Sequence, residues 1–422
     1  MITTIAVVGT FDTKLEELLY LRTQILKLDP KIDVVLIDTG RLAAEHEAIL
    51  IRRDEFLRHG RFQGDQNDLQ SLTRAEHIKT IARVAAAFVG KLHKDREIHG
   101  IISLGGSNGT SISAAVMREL PITLPKLIVS TVASSDTSSY VAETDITMMH
   151  SIVDIAGLNE ILRAVIDNAA AAVVGMAKAY AKRTMQPTPR DRKRAAGLTM
   201  FGVTTKGADA IRKLLEENHY EVYVFHATGA GGRAMERFVK DGRLDIVMDL
   251  TTTELADELV GGVFSAGESR LTAASKAGIP QIISLGALDM VNFGPRNTVP
   301  KELARRKLLE HSSSVTLMRT TASECEQLGK IIAQRLKDNC IRPDRTKVWV
   351  PLEGISAISM PGQDFYDEAA DKALFDAIYK GLEGSGIDVE CLSTDINSPM
   401  FAHRFCHSLE DIADNEVGEG LE

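Results

Sequence analysis

The chain has few cysteines, and no two of them lie close together in the sequence. The four cysteines all fall in the last quarter of 422 residues. This spacing predicts reduced thiols rather than a disulfide framework, and it lacks the four-cysteine signature of a zinc site. His403 and His407 have the spacing of two metal ligands on one helix face, but no clear third ligand accompanies them. We therefore interpret them as structural or surface residues and predict no metal site.

Long apolar runs and an excess of basic residues are also absent. The longest apolar stretch, residues 169–177, has about half the length that a membrane-spanning helix needs. A net charge of -9 and a pI near 5.7 argue against non-specific nucleic-acid binding. Because residues 1–4 form no basic leader, we expect a cytoplasmic protein with neither membrane nor nucleic-acid partners.

The most informative feature present is a glycine-rich loop, residues 105–110, with the sequence GGSNGT. An apolar run, residues 98–104, precedes it and predicts a buried strand, and residues 111–119 predict a helix. Such a loop presents backbone N–H groups at a helix N-terminus, where anions bind. Ser107 and Thr110 add hydroxyl donors suited to phosphate. The alternative is a strand-to-helix turn that needs glycine only for positive φ.

The two halves of the chain repeat the same order of elements. Strand-like segments at 5–10, 34–40, 100–104 and 125–130 match segments at 198–203, 223–229, 245–250 and 280–284. Helical patterns at 15–28, 75–92, 208–217 and 324–336 alternate with the strands. This pattern predicts an α/β protein with two doubly wound, Rossmann-like parallel-sheet domains related by a distant internal duplication.

Domain boundaries follow from composition. A basic, proline-containing stretch, residues 181–196, predicts a linker between an N-terminal nucleotide-binding domain (1–180) and a C-terminal domain (197–422). Between the second and third strands the first half is much longer than the second. We interpret this excess, near 42–73, as a helical insertion. The favoured interpretation is a solvent-exposed helix; the alternatives are a segment that covers the site or one that forms a dimer contact.

Four turns of the first half should meet at one edge of the sheet: 9–14, 38–41, 105–110 and 130–139. Lys14 offers a point charge for phosphate, and Asp12, Asp38 and Asp136 offer oxygens to a ribose or a magnesium ion. Together they describe a nucleotide pocket. Taken singly, Asp12 and Asp136 are explained as well by capping of a helix or turn.

In the second half, residues 229–234 fit GxGxx[GA] directly after a strand. No acidic residue ends the next strand cleanly, so we interpret this turn as a second anion-binding turn rather than a dinucleotide site. Residues that would bind a small anionic metabolite across the cleft between the domains are His226, Thr228, Gly229, Gly231, Gly232, Thr252, Thr253, Glu254, Arg270 and Asn292.

Residues 105–109 also match the GxSxG pattern of a hydrolase, with Ser107 as nucleophile and Asp136 and His150 as partners. No HGGG segment supplies the oxyanion hole, and no GxxxxGK[ST] sequence supplies a P-loop. A serine hydrolase and an NAD-dependent enzyme are therefore the less favoured alternatives.

Seven segments together resemble the Tm-one-like ATP-binding family, which contains the N-terminal region of a tomato tobamovirus-resistance protein and uncharacterised bacterial relatives. They are GTFDTK (9–14), GGSNGT (105–110), STVASSD (130–136), HSIVDIAGLN (150–159), FHATGAGGRAME (225–236), DLTTTELADELVGG (249–262) and GALDMVNFGP (286–295). The resemblance spans almost the whole chain. Asn108 and Ser135 stand where the family pattern usually has glycine.

The resemblance implies two α/β subdomains, ATP binding in the first of them, and homodimers or higher assemblies. It carries the nucleotide contacts onto Gly9, Thr10, Asp12, Thr13, Gly105, Gly106, Ser107, Gly109, Thr110, Ser134 and Asp136. We therefore expect an ATP-binding protein, with magnesium as a further cofactor. Two activities stay open: an ATP-using enzyme acting on a small metabolite, and a non-catalytic ATP-sensing interaction protein.

Overall fold

A computed structural model describes residues 2–49, 51, 53–59, 69, 71–95, 97–185 and 192–413. The chain divides into two compact units, Met1–Pro189 (unit 1) and Arg190–Glu422 (unit 2). None of the helices in these described ranges combines the length and apolar character needed to cross a membrane.

Unit 1 is built on a five-stranded parallel sheet in the order β2-β1-β3-β4-β5. The strands are β1 (Thr4–Gly9), β2 (Asp33–Asp38), β3 (Gly100–Gly105), β4 (Lys126–Ser130) and β5 (Thr147–His150). Every residue of β1, β3 and β4 is buried, as expected for strands covered on both faces.

Helices cover both faces of this sheet: α1 (Phe11–Leu28), α2 (Arg53–His59), α3 (Arg74–Lys94), α4 (Ser107–Arg118), α5 (Ser138–Val141) and α6 (Glu160–Thr184). Side chains alternate along β1, so that Ile5 and Val7 pack with α1 and α6 while Ala6 and Val8 pack with α3 and α4. Because α1 directly follows β1 and α4 directly follows β3, the N-termini of both helices lie at the carboxyl edge of the sheet.

Unit 2 has a six-stranded parallel sheet in the order β14-β13-β9-β8-β6-β7 and a three-stranded antiparallel sheet in the order β10-β12-β11. Its strands are β6 (Arg194–Met200), β7 (Tyr220–His226), β8 (Ile246–Thr251), β9 (Gln281–Gly286), β10 (Met290–Phe293), β11 (Leu308–Ser312), β12 (Val315–Arg319), β13 (Thr346–Pro351) and β14 (Asp388–Leu392).

The helices of unit 2 are α7 (Thr205–Glu217), α8 (Ala230–Lys240), α9 (Glu254–Val260), α10 (Ala273–Ala277), α11 (Ala322–Asn339), α12 (Glu368–Leu382) and α13 (Pro399–Ala413). One face of the sheet packs against α11 and α12, and the opposite face near β6, β8 and β9 packs against α7 and α13. Both faces of the sheet are thus covered.

The predicted fold class is confirmed. The first five parallel strands of unit 2, β7-β6-β8-β9-β13, follow the same spatial order as the five strands of unit 1, which agrees with the proposed duplication. In this order the connections change direction between β1 and β3, and between β6 and β8. Ligands of open α/β sheets bind at such switch points. The antiparallel sheet β10-β12-β11 was not predicted.

Two predicted boundaries differ from the structure. The linker at 181–196 is shorter than expected, because α6 continues to Thr184 and β6 begins at Arg194; residues 186–191 lie outside the described residues. Within the predicted insertion, 42–73, the structure has the short helix α2, whereas 60–68 lie outside the described residues.

Gly286 provides a test of strand packing in unit 2. A Cβ added there would lie 2.4 Å from the backbone oxygen of Leu250, beside an irregularity in the β8–β9 pairing. We expect Gly286→Ala to lower the free energy of unfolding by about 1–3 kcal/mol, because the two backbones must separate. Urea denaturation measures this change.

The matched control is Gly175→Ala in α6, where an added Cβ meets no atom within 4 Å. Alanine there should raise stability by about 0.5–1 kcal/mol, since it is the better helix former. Equal effects of the two substitutions would contradict the packing argument.

Candidate functional site

A cavity lies at the switch point of unit 1. It has a volume of about 210 Å³ and opens between the turn after β1 and the start of α4. Its lining residues are Thr10, Asp12, Thr13, Thr39, Arg41, Arg74, His77, Ile78, Asn108 and Ile112. The structure therefore brings the predicted Thr10, Asp12 and Thr13 together with Asn108 of the glycine loop. The other loop residues predicted to contact a nucleotide are not among the residues that line this cavity: Gly105, Gly106, Ser107, Gly109 and Thr110.

The glycine loop is the first turn of a helix rather than a separate loop. Helix α4 begins at Ser107, and its N-cap, Gly106, offers no side chain to cap it. The first N–H groups of α4 are therefore left for solvent or an anion. Neither Gly105, Gly106 nor Gly109 has positive φ, so the explanation by left-handed turn glycines is wrong.

Close approach explains these glycines instead. A Cβ at Gly105 would lie 3.1 Å from the Cα of Gly109, which is tighter than ordinary contact. Asn108 and Ser135, the two departures from the family pattern, also lack positive φ. Asparagine and serine are therefore accommodated at these positions without backbone strain.

Two residues predicted to contact a nucleotide are engaged within unit 1. The buried carboxylate of Asp38 accepts hydrogen bonds from the N–H groups of Phe11, Gly40 and Ala44. Thr110 is fully buried, and its hydroxyl pairs with that of Ser130 at 2.7 Å. Asp38 and Thr110 hold the turns in place, and their role as ligand residues stays a prediction.

Lys14 is likewise occupied, because its Nζ donates to the backbone oxygen of Ile155. The ammonium group has three N–H donors and uses one of them here, so its role as a point charge for phosphate stays a prediction. Gly9 is fixed by packing: an added Cβ would lie 2.6 Å from a methyl carbon of Leu18. Lys14 and Gly9 therefore support the turn rather than the cavity.

Asp12 and Asp136 differ in whether their carboxylate oxygens are already hydrogen-bonded within the protein. Asp136 accepts a hydrogen bond from the N–H of Ser138, which lowers its carboxyl pKa; Ser134 is exposed in the same turn. The turn-capping alternative therefore describes Asp136. Asp12 lies inside α1, and its Oδ2 accepts from the N–H groups of Arg41 and Leu42. Its buried Oδ1 has no hydrogen-bond partner.

Sequence reasoning missed the side chains that give this cavity its positive charge. They are Arg41, which follows β2, and Arg74, which begins α3. The buried His77 of the same helix turn also lines the cavity. Arg41 also donates to the backbone oxygen of Leu72, so it links the turn after β2 to the residues before α3. Among cavity residues, Thr39 has a buried hydroxyl without a partner. Only a capping signal, Thr73 with Glu76, marks the start of α3 in the sequence.

The hydrolase alternative gains no support from the geometry. Ser107 begins α4, and Asp136 bonds to Ser138. Among the described residues no hydrogen bond connects Ser107, Asp136 and His150. A nucleophile and its base need such contact, or positions that bring them into reach.

In unit 2 the predicted anion-binding turn is filled by the protein itself. Oε1 of Glu254 accepts hydrogen bonds from the N–H groups of Gly229, at 2.7 Å, and Gly232, at 3.0 Å. A Cβ at Gly232 would lie 2.1 Å from Oε2 of Glu254, and one at Gly231 would lie 1.8 Å from the backbone oxygen of His226. The glycine pattern at 229–234 thus permits an internal carboxylate to cap α8.

Arg270 is fully buried among three carboxylates. It donates to both oxygens of Asp249, to Oε2 of Glu254 at 2.7 Å and to Oε1 of Glu236 at 3.5 Å. Burial raises the pKa of Glu236 and of Glu254 above the usual range for glutamate. Arg270 and Glu254 therefore complete an internal network, which corrects their prediction as ligand residues.

Asn292, Thr252 and Thr253 are also fully buried. The side chain of Asn292 contacts Asp257 and Thr253, while the Thr252 hydroxyl donates to the backbone oxygen of Ser284. Burial raises the pKa of Asp257 to about 7. Of the predicted second-unit set, His226 is exposed, where its ring stacks on Phe201 at 5.5 Å, and Thr228 is half-buried.

A second buried cluster of charged side chains, Asp289, Arg319 and Asp371, lies near the ends of β9 and β13. Asp289 accepts a hydrogen bond from Ser356 at 2.8 Å on Oδ2, and its Oδ1 has no partner. Burial raises the pKa of Asp289 to about 6, against the lowering influence of Arg319. Arg319 itself donates to Asp371. The segment 286–295 contains Asp289, but no sequence signal distinguished it as buried.

The described ranges contain no group of three or more His, Cys, Asp or Glu side chains arranged to hold a metal ion. His403 and His407 lie in α13 with ring centroids 6.4 Å apart.

Substitution of Arg270 tests the buried network. Arg270→Met leaves three carboxylates buried without their cation, so we expect the free energy of unfolding to fall by about 3–5 kcal/mol. Denaturation in urea measures the loss. The control is Arg212→Met, which removes an exposed pair with Glu216 and should cost less than about 1 kcal/mol. Similar losses in both variants would contradict the assignment.

Asp289 predicts a pH dependence of stability. Its pKa of about 6 in the folded protein exceeds the ordinary 3.8, so the folded state keeps a proton that the unfolded chain has released. The resulting stabilisation is complete below pH 4 and is lost as pH rises to 6. Asp289→Asn, which stays neutral, should therefore gain up to about 3 kcal/mol relative to wild type between pH 4 and pH 6. If the curves of unfolding free energy against pH for wild type and Asp289→Asn run parallel, Asp289 does not carry a proton in the folded protein.

Comparison with known proteins places the chain among relatives along its whole length. Two family models match: the uncharacterised protein family (UPF0261) N-terminal domain at residues 3–182 and the UPF0261 C-terminal domain at 193–413. A UPF0261 protein of Clostridium tetani is 44% identical over 398 residues, covering 94% of this chain and 96% of that protein.

The ToMV resistance protein Tm-1(GCR237) of Solanum lycopersicum is 36% identical over 423 residues, covering 96% of this chain. This chain spans only 55% of that protein's length.

Two solved structures share little with this chain. UDP-N-acetylglucosamine 2-epimerase from Rickettsia bellii is 11% identical, with 67% of this chain and 78% of that chain covered and a TM-score of 0.21. The UDP-GlcNAc 2-epimerase from Neisseria meningitidis is 10% identical, with 90% and 100% covered and a TM-score of 0.20. Likeness at this level supports no inference. By its two domain matches and its relatives, the chain belongs to the UPF0261 family, which includes the tomato Tm-1 proteins.

Proposed function

We propose that unit 1 binds a nucleotide, ATP, with the phosphate chain in the cavity at the β1/β3 switch point. The observation that carries this proposal is the uncapped N-terminus of α4 beside two arginines, Arg41 and Arg74, in one cavity. Backbone N–H groups at a helix start and guanidinium groups are the donors that phosphate oxygens prefer.

The size of the cavity fits part of a nucleotide. Its volume of about 210 Å³ is below the roughly 300–1,000 Å³ of pockets that enclose a whole small molecule. Phosphate groups are compact and are held by few donors. We therefore place the phosphates inside and the nucleoside outside, along the carboxyl edge of the sheet.

Magnesium fits this arrangement as an ion that arrives with the nucleotide. Asp38 is saturated by N–H donors, whereas Asp12 keeps one buried oxygen without a partner. Magnesium commonly takes one or two protein carboxylates and completes its shell with phosphate oxygens and water. Asp12 would supply the carboxylate.

An ATP-using enzyme is the second candidate. One observation favours it: the carboxylate of Asp12, the group with an unpartnered oxygen, lines the same cavity. A magnesium ion held by this carboxylate would offset the negative charge that develops when a phosphoryl group is transferred. ADP or AMP release in the presence of a metabolite panel distinguishes this candidate from a protein that only senses ATP.

Of the other sequence predictions, two are kept as they stand, and the residues proposed to bind a metabolite are reduced in number. Homodimerisation and a cytoplasmic location stay predictions. The small anionic metabolite is proposed only for the accessible His226 and Thr228, because Glu254, Arg270 and Asn292 are engaged within unit 2. The virus resistance named for the tomato relative is not extended to this chain.

Arg74→Ala tests the phosphate site. Because a hydrogen bond to a charged group is worth about 1.5–3 kcal/mol, we expect the variant to bind ATP at least about tenfold more weakly. Isothermal titration with ATP and magnesium measures the change. In wild type, ATP at about 100 times its dissociation constant should stabilise the fold by roughly 2.7 kcal/mol.

The matched control is Arg83→Ala on the same helix. Arg83 lines a separate groove of about 1100 Å³ along the outer faces of α3 and α4, so its loss should leave ATP affinity unchanged. Wild-type protein that gains no thermal stability from ATP, ADP or AMP would refute nucleotide binding, and stabilisation by NAD alone would favour the dinucleotide alternative.

A further inference from the structure

Two buried oxygen atoms of the cavity in unit 1 have no hydrogen-bond partner among the described residues. They are Oδ1 of Asp12 and the hydroxyl oxygen of Thr39. Thr39 is only 1% exposed. The hydroxyls of Thr10 and Thr13, which also line the cavity, hydrogen-bond to each other at 3.1 Å. Of these three threonines, Thr39 is therefore the one whose hydroxyl is left for a ligand.

Both of these oxygens belong to groups that adjoin Gly40. Thr39 directly precedes this glycine, and a Cβ added at Gly40 would overlap with Oδ1 of Asp12. The other carboxylate oxygen of Asp12 accepts hydrogen bonds from the N–H groups of Arg41 and Leu42. The turn after β2 thus fixes the Asp12 carboxylate in place, with Oδ1 left in the same part of the cavity as the Thr39 hydroxyl.

The chemistry of these two oxygens favours a cation. A carboxylate oxygen accepts hydrogen bonds or binds a positive charge, but it cannot donate. An ionised phosphate is also an acceptor and has the same sign of charge, so the Asp12 carboxylate repels it. A buried acceptor without a partner costs free energy. A divalent cation between the carboxylate and the phosphates would satisfy both groups, and threonine hydroxyls are known ligands of magnesium in phosphate sites.

Protein ligands alone do not complete a metal site at this cavity. Asp12 is the one carboxylate among the residues that line it, and no larger metal-binding group occurs within the described ranges. Magnesium usually keeps several waters and binds through one or two carboxylates together with phosphate oxygens. One carboxylate and one hydroxyl therefore suit a cation that arrives already bound to the phosphates.

We propose that Thr39 is a second protein ligand of the magnesium ion, beside Asp12, and that unit 1 takes the magnesium complex of its nucleotide rather than the metal-free nucleotide. This inference rests on the proposed nucleotide site. Arg41 and Arg74 bind the negative charge of the phosphates, whereas Asp12 and Thr39 bind the cation. The cavity thus selects a ligand that carries both charges.

Thr39→Val tests this assignment, because valine keeps the shape of threonine and removes only the hydroxyl. Isothermal titration measures ATP affinity with saturating magnesium and, separately, in EDTA. Wild type should bind ATP at least about tenfold more tightly with magnesium, since even the partners of metal ligands are worth about 10–100-fold in metal affinity. Thr39→Val should lose most of this gain with its affinity in EDTA unchanged, and Thr39→Ser, which keeps the hydroxyl, should retain the gain.

Manganese gives a second readout that does not depend on affinity. With Mn²⁺ in place of magnesium and ATP at saturation, water takes the position of the missing hydroxyl in Thr39→Val. The relaxation rate of water protons should therefore rise in this variant relative to wild type and to Thr39→Ser. An unchanged rate would show that Thr39 does not coordinate the metal.

The matched control is Thr316→Val in unit 2, which removes another buried hydroxyl that has no partner among the described residues. It should leave the magnesium gain unchanged. If Thr39→Val does not fold, Thr39→Ala replaces it in both measurements.

Three results would overturn the inference while the phosphate site stands. They are a wild-type affinity for ATP that does not depend on magnesium, a magnesium gain that persists without the Thr39 hydroxyl, and an equal loss of affinity with magnesium and in EDTA. The last result would mean that the hydroxyl contacts the phosphates directly. Wild-type protein that binds ATP in neither condition would refute the nucleotide site itself.

Discussion

Both units depend on one constraint: the N–H groups at a helix start on the carboxyl edge of a parallel sheet need acceptors. In unit 2, Glu254 supplies one to α8 by accepting from Gly229 and Gly232. In unit 1, the N-cap of α4 is Gly106, and among the described residues no side chain accepts a hydrogen bond from the first N–H groups of α4. The two helices follow different strands, α8 after β7 and α4 after β3, but both start at the carboxyl edge of a sheet. The start of α8 is closed by the protein and that of α4 is open, and the open one is where an external anion is favoured.

Closing the edge of unit 2 has consequences deeper in the unit. A buried glutamate that caps α8 must keep a counter-charge, and Arg270 provides it. The guanidinium is in turn satisfied by Asp249, whose Oδ1 also accepts from Thr199. Each buried group is thus hydrogen-bonded to the next, as the cost of isolated buried charge requires. An external anion would have to compete with this network, which explains why the functional proposal concerns unit 1.

Much of the fold was predictable because strands buried on both faces leave continuous apolar runs, as Gly100–Gly105 does. Helix starts were harder. Helix α4 begins at Ser107, four residues before the predicted start, since its first turn is polar and carries no periodic apolar signal. The small antiparallel sheet was missed because a strand as short as Met290–Phe293 has no distinguishing pattern.

The candidate site was predictable where it is local in sequence. The turn after β1 and the glycine loop form compact motifs, and the switch point brings them together. Arg41 lies in the predicted turn 38–41, although no charge role was assigned to it. Arg74 reaches the cavity only through the path of the chain between β2 and α3, which no local pattern specifies. Likewise, Asp38 has the composition of a ribose ligand, and only its three N–H donors show that it holds the turn.

Glycines after strands allow another group to approach the backbone closely. Whether such a turn can bind a ligand depends on which group approaches it. At Gly232 the neighbour is a carboxylate of the protein, and at Gly231 it is the backbone oxygen of His226. At Gly105 the neighbour is the backbone of Gly109, so the pattern tightens the first turn of α4. In the part of the chain that the structure describes, no side chain accepts from the first N–H groups of this helix. Similar glycine spacing therefore has opposite meanings in the two units. In unit 2 a protein carboxylate occupies the turn, which argues against a ligand there, whereas in unit 1 the turn is open to one.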